Sequence, residues 1–221
     1  MKAILTSTKL KDVEGSVELV ERLISKSRSE ISVAIINEAS AIEFGNHRVL
    51  IDTMTDLADS FGGSIEIIHL LAISPKQIIE RINAADMLFV LGGNTDWLKI
   101  IFDKTGVSEA LPKILENKLY VGSSAGSMIL GHRPSDKIQD QAYGEHEAFS
   151  VGDYLDLLDF LILPHWFKDS KDRTKNLAMQ KSKLVDYPVY AISDNAAVVV
   201  DGEKIYCIGF NYMKLVKGKT D

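Results

Sequence analysis

Short runs of β-branched and aliphatic residues alternate along this chain with amphipathic stretches, and that order admits few architectures. Strands are predicted over 3–6, 32–36, 64–70, 87–91, 119–122 and 160–163. Between them, 47–61 sets Leu50, Met54, Leu57 and Phe61 at helical spacing and stops at Gly62-Gly63, a C-cap signal. Further helices are predicted over 75–82, 95–102 and 107–117. After Pro188 the pattern changes to three β-rich runs, 189–193, 196–200 and 204–208, with Asp201-Gly202 as a tight turn between the last two. The expectation is an α/β fold, a mainly parallel sheet with helices on its faces and an antiparallel C-terminal edge hairpin. No linker, repeat or low-complexity segment divides it, so 1–221 reads as a single domain.

With 46% hydrophobic and 25% charged residues, 221 residues can bury one core without disulfides or metals. Lys+Arg 25 against Asp+Glu 31 leaves a net charge of −6, so the bulk electrostatic footprint of a nucleic-acid or anionic-membrane binder is missing. Cys207 is the single cysteine, which excludes an intrachain disulfide and a multi-cysteine zinc site and suits a reducing cytosol. The first eight residues lack a signal-peptide core, and no apolar run approaches the roughly 20 residues of a membrane helix. The expected location is cytoplasmic, with no membrane partner, no metal and no cofactor.

Chemistry concentrates in Leu119-Tyr120-Val121-Gly122-Ser123-Ser124-Ala125-Gly126. A predicted strand ends at Gly122 and a short apolar helix begins near Ala125, so G-x-S-x-G stands here in the strand, sharp turn, helix context that gives the motif its mechanism. The glycines permit a tight turn that lifts the Ser124 hydroxyl clear of the sheet. The N–H of Ala125 then points to where an oxyanion would form.

A serine hydroxyl needs a base, and the chain offers five histidines. His47 heads a helix, His69 lies inside a predicted strand, His132 is two helical turns past the serine, and His146 sits between two glutamates in a polar loop. His165 differs, because it follows the apolar run 160–164 at the carboxyl end of a strand, where sites form in open α/β sheets. The third member is sought among the carboxylates between Ser124 and His165. Asp153, Asp156 and Asp159 fit a solvated helix face, while Asp136 and Asp140 are better placed and spacing alone does not separate them. A second glycine turn, Gly92-Gly93-Asn94-Thr95, also follows a strand, and its N–H groups are candidates to complete an oxyanion hole opposite Ala125.

These pieces resemble the peptidase E family of serine peptidases, which includes alpha-aspartyl dipeptidases and the more distant cyanophycinases. The matching segments are Gly92-Gly93-Asn94-Thr95, then Leu119 to Gly122 running into Ser124-Ala125-Gly126, then Leu163-Pro164-His165, and finally Ile192-Ser193-Asp194-Asn195-Ala196. They span most of the chain. The resemblance implies a three-layer α/β/α sandwich like that of class I glutamine amidotransferases (flavodoxin-like). It maps Ser124 to the nucleophile, His165 to the base, and Gly93 and Ala125 to the oxyanion donors, and it favours Asp140, 16 positions past Ser124, as the acid. It also implies a short-peptide substrate, with an acidic first residue the first case to test. Asn94 and Arg173 are then the substrate-binding candidates, and a homodimer is compatible with the reading.

The chain also departs from the family. Asp96 stands where an aromatic residue often follows G-G-N-T, and the family's substrate-binding arginine has no clear counterpart. From Lys168 to Asp186 six basic residues face three acidic ones, and Arg173 near a substrate carboxylate competes with the wet face of a helix as the explanation. An esterase-like α/β-hydrolase, which shares the elbow, and an inactive binding protein on the same fold are the rival functions.

Overall fold

Along the strand Met87–Val90, Leu88 and Val90 pack into one apolar cluster while Met87 and Phe89 pack into another, and all four are buried. A strand buried on both faces requires helices on both, and this alternation produces the three layers. The structure, a computed structural model, describes residues 1–42, 47–143, 149–166, 173–216 and 219–220.

In chain order the elements of the first half are β1 (Lys2–Thr6), α1 (Ser16–Ile24), β2 (Val33–Ile36), α2 (His47–Ser60), β3 (Ile65–Ile67), α3 (Pro75–Ala84) and β4 (Met87–Val90). There follow α4 (Thr95–Lys104), α5 (Val107–Ile114), β5 (Leu119–Ser123), α6 (Ala125–Met128) and α7 (Asp136–Tyr143). The last part holds β6 (Leu161–Leu163), α8 (Arg173–Leu184), β7 (Val189–Ile192), β8 (Ala196–Asp201), β9 (Lys204–Gly209), β10 (Tyr212–Val216) and β11 (Lys219–Thr220).

The main sheet runs β3-β2-β4-β5-β1-β8-β9. Its first five strands are parallel; β8 pairs antiparallel with β1, and β9 with β8. Ile78 and Ile82 of α3, Leu98 and Phe102 of α4 and Leu111 of α5 cover one face, and Leu19, Val20 and Leu23 of α1 with Leu57 of α2 cover the other. Each such side chain contributes about 1.5–3 kcal/mol by leaving water. Helix starts are set locally: Ser74 and Gln77 form a capping box ahead of Pro75, and Asn94 Oδ1 accepts from Trp97 N to open α4. Among the described residues no helix is long and apolar enough to cross a membrane.

The expected C-terminal edge is present as the β8–β9 hairpin, but two strands belong elsewhere. Strands β6 and β7 pair with each other in a second sheet of order β11-β10-β7-β6 instead of extending the first. The reason is packing: Leu161, Leu163, Val189, Ala191 and Leu215 share a third apolar cluster with Ile138 of α7 and Ala178 of α8. Strand β3 is shorter than predicted, which leaves His69 exposed beyond its end.

The elbow is braced from inside. Tyr120 is fully buried and its hydroxyl donates to Gly126 O at 2.5 Å, across the turn that carries Ser124. Tyr120→Phe is expected to lower stability by about 1–3 kcal/mol, a fall of about 2–10 °C in Tm, because a buried acceptor loses its donor. A thermal melt checks this, and an unchanged Tm would contradict it.

Candidate active site

All five parallel strands end on one edge of the main sheet, and the candidate residues gather there because each follows a strand. Ser124 follows β5 directly. Its φ of 50° and ψ of −110° lie far from ordinary serine conformations, and strain of this kind costs about 1–3 kcal/mol where the surroundings enforce it. They do enforce it here. A Cβ at Gly122 would fall 2.5 Å from Gly126 O, and one at Gly126 would fall 2.1 Å from Val90 O, so the turn closes only with glycine at both places. The Ser124 side chain makes no cap bond to α6 and is left free for another partner.

That partner is His165. Ser124 Oγ lies 3.0 Å from His165 Nε2, and His165 Nδ1 lies 2.9 Å from Asp194 Oδ1. A carboxylate accepts hydrogen bonds and does not donate them, so the arrangement selects the tautomer with hydrogen on Nδ1 and a lone pair on Nε2 toward the serine. His165 and Asp194 side chains are about one third exposed, at 34% and 35%, which leaves the imidazole open to substrate and water. His165 also has a positive φ, 61°, at the corner where the chain leaves β6.

In the structure the carboxylate at His165 Nδ1 is Asp194; the resemblance favours Asp140. Nδ1 carries a single hydrogen, and Asp194 occupies it. Asp140 falls in α7, and its side chain lies outside the described residues. Asp136 is engaged by Arg133 at 2.6 Å. A search confined to the order serine, acid, histidine could not reach Asp194. Topology places it: Asp194 stands two residues past β7 as His165 stands two past β6, and β6 and β7 are parallel neighbours, a pairing that the sequence does not reveal.

A second set of residues was missed entirely. Thr6, Ser7 and Thr8, at the end of β1, tie the three segments together. Thr6 O accepts from Ser124 N at 2.9 Å and from Ser127 Oγ at 2.7 Å, and Thr6 Oγ1 donates to Gly122 O at 3.0 Å. Ser7 Oγ donates to Ile192 O at 2.9 Å and accepts from His165 N at 3.0 Å. Thr8 Oγ1 donates to Asp194 O at 3.0 Å. Hydroxyls are suited to this because each can donate and accept at once.

The glycine turn after β4 lies against Ser124. A Cβ at Gly92 would come within 2.9 Å of Ser124 Cβ, and Gly93 holds a φ of 134° with Asn94 N donating to Ala39 O. Asn94 itself uses its side-chain oxygen on Trp97 N, so it serves as the cap of α4. Ala125 is the first residue of α6, so its N–H is one of those that a helix leaves without an intrahelical acceptor. Arg173 is the first residue of α8, and its side chain lies outside the described residues, as do His146 and the side chain of His47. His132 turns away from the site, with Asp156 and Asp159 at its two ring nitrogens, each at 3.1 Å.

Ser124 and His165 open into a cavity of about 510 Å³. Phe89, Leu91, Met128 and Tyr143 form apolar parts of its wall, Gly92 and Gly93 line it beside the serine, and Lys9 and Asp12 supply its charged part. Among the described residues no group of three or more His, Cys, Asp or Glu is placed to hold a metal ion. Cys207 is half-buried in β9, and burial pushes its thiol up to about 12, far from a reactive thiolate.

Comparison with known proteins identifies a family. The model of peptidase family S51 matches residues 3–208. The uncharacterized peptidase Lmo0363 of Listeria monocytogenes is 26% identical over 212 residues, 93% of this chain and 97% of its own length. Peptidase E of Streptomyces coelicolor is 28% identical over 150 residues, 64% of this chain and 60% of its own. A crystal structure of a Listeria monocytogenes protein described as a peptidase E superposes with a TM-score of 0.74 at 25% identity, covering 95% of this chain and 98% of that one. A peptidase from an acI-B1 Actinobacterium shares the fold, with a TM-score of 0.69 at 16% identity over 100% of this chain and 92% of that one. The chain belongs to peptidase family S51, the peptidase E family, and is a serine peptidase.

Proposed function

We propose that this peptidase hydrolyses short peptides through Ser124, His165 and Asp194, with an acidic N-terminal residue as the favoured substrate feature. The observation that carries the reading is the continuous row of contacts Ser124 Oγ, His165 Nε2, His165 Nδ1, Asp194 Oδ1 beside two glycine-bearing turns.

His165 Nε2 takes the Ser124 proton as Oγ forms a bond to the scissile carbonyl carbon. The carbonyl oxygen becomes negative and is received by the N–H groups of Gly93 and Ala125. Imidazolium, stabilised by Asp194, gives its proton to the leaving amine as the C–N bond breaks. Water then attacks the acyl-serine with the same imidazole as base, releasing the acid and restoring the hydroxyl. A cavity of about 510 Å³ is in the range of small-ligand sites and suits a peptide of a few residues better than a folded protein.

A panel of dipeptides varied at the first residue, assayed with wild type and Ser124→Ala side by side, tests the proposal. Ser124→Ala or His165→Ala is expected to reduce kcat by about 10⁴-fold or more, since members of such a unit fail together. Full activity in Ser124→Ala would overturn it.

The choice of acid has its own test. Asp194→Asn leaves the shape and disfavours the required tautomer, so kcat is expected to fall by about 10²- to 10⁴-fold with KM little changed. Asp140→Asn is expected to stay within about threefold of wild type, because Nδ1 is already occupied. The reverse ranking in steady-state kinetics would return the role to Asp140.

A further inference from the structure

We infer that Glu38 is a positioning residue for the proposed reaction: its buried carboxylate locks the turn on which Gly93 rests, and through that turn it sets where the Gly93 N–H meets the oxyanion. The inference rests on the peptidase reading, in which Gly93 is one of two oxyanion donors.

The two donors are held differently. Ala125 starts α6, and the close-packed glycines of the elbow, with Thr6, fix that segment. Gly93 lies in an irregular turn, and its N–H has no acceptor among the described residues. What holds it is the end of β2, the parallel neighbour of β4. Leu91 N donates to Ile36 O and Asn94 N to Ala39 O, each at 2.9 Å, so the turns after the two strands run side by side. Gly93 is pressed onto the peptide between Ala39 and Ser40: a Cβ here would fall 2.2 Å from Ala39 O and 2.6 Å from Ser40 N. That peptide is the seat of Gly93, and the aim of the N–H follows it.

The seat belongs to a single 3₁₀ turn, Glu38–Ser40, in which Ala41 N donates to Glu38 O and Ser40 Oγ to Asn37 O. One such turn has little stability of its own. Glu38 supplies what it lacks. The residue is 7% exposed, and its Oε1 accepts from Leu70 N at 2.6 Å, which ties the turn after β2 to the segment after β3. A hydrogen bond to an ionised acceptor is about twice as strong as a neutral one. Burial pushes the Glu38 carboxyl above its ordinary range, while the N–H groups of Leu70 and Asn37 and the charge of His69 favour the anion. A buried carboxylate is a costly filling where an apolar side chain would occupy the same space. The bond it makes is the one that holds the seat of Gly93. Misplacing a reacting group by about 1 Å can cost about 10²-fold in rate, so a small shift of this turn is enough to matter.

The experiment follows the rate of fluorophosphonate labelling of Ser124, because the phosphonyl oxygen takes the place of the oxyanion and no peptide specificity is assumed. Each rate constant is read from the approach to its own end point, so it does not depend on how much protein is folded. Glu38→Leu removes the acceptor and is expected to slow labelling by about ten- to a hundredfold, below the roughly 10²–10³ of losing an oxyanion donor outright. Glu38→Asp, one methylene too short for Leu70 N, should show the same loss with the charge kept, and serves where Glu38→Leu does not fold. Glu38→Gln keeps an acceptor for Leu70 N and should stay within about threefold of wild type. The pH midpoint of labelling should be the same throughout, because Glu38 bonds to no member of the row Ser124, His165, Asp194 among the described residues. On a dipeptide that wild type cleaves, the slowed variants should lose kcat by a similar factor with KM little changed. Unchanged labelling in Glu38→Leu and Glu38→Asp, or slowing accompanied by a shifted midpoint, would overturn the inference and leave the peptidase reading standing. Failure of wild type to be labelled at Ser124 would remove both.

Discussion

Three hydroxyl side chains at the end of one strand hold the row Ser124, His165, Asp194 together. Ser124, His165 and Asp194 come from separate parts of the chain, and His165 and Asp194 follow strands of a different sheet from the one that carries Ser124. Thr6, Ser7 and Thr8 bond to all three neighbourhoods: to the nucleophile turn through Thr6, to the β6 corner and the end of β7 through Ser7, and to the Asp194 backbone through Thr8. Distances of 2.9 and 3.0 Å along the row are thus consequences of the end of β1, as much as of the three residues themselves.

Local strain follows from the same arrangement. Both Ser124 and His165 occupy positive φ, the first because Gly122 and Gly126 let β5 and α6 meet at close range, the second because the chain must leave β6 while its N–H reaches Ser7. Non-glycine residues in such conformations persist only where the surroundings overdetermine them. The buried hydroxyl of Tyr120 and the Thr6 carbonyl supply that surplus at the serine.

The layered fold was legible because parallel strands buried on both faces leave unbroken apolar runs, as in 87–91 and 119–122, and the glycines around Ser124 marked the elbow. His165 was legible by the strand-end rule. What escaped was long-range: nothing in 160–163 or 189–193 says that these runs pair with each other and not with the main sheet, since their cluster is completed by Ile138, Ala178 and Leu215 far along the chain. Asp194 escaped for the same reason, because its place beside His165 depends on that pairing. The anchoring hydroxyls escaped because a Thr-Ser-Thr run after a strand resembles any polar turn. Asp96 shows the converse, as a residue whose chemistry is absorbed by the scaffold: it is buried, pairs with Arg133 and accepts from Tyr154.

The central claim is that the Ser124 hydroxyl is an activated nucleophile, and covalent labelling reads that property without assuming any substrate. Wild-type protein treated with a fluorophosphonate at neutral pH and mapped by peptide mass spectrometry is expected to carry a single adduct, on Ser124. An unmodified Ser124, or an adduct on another serine with Ser124 untouched, would contradict the account.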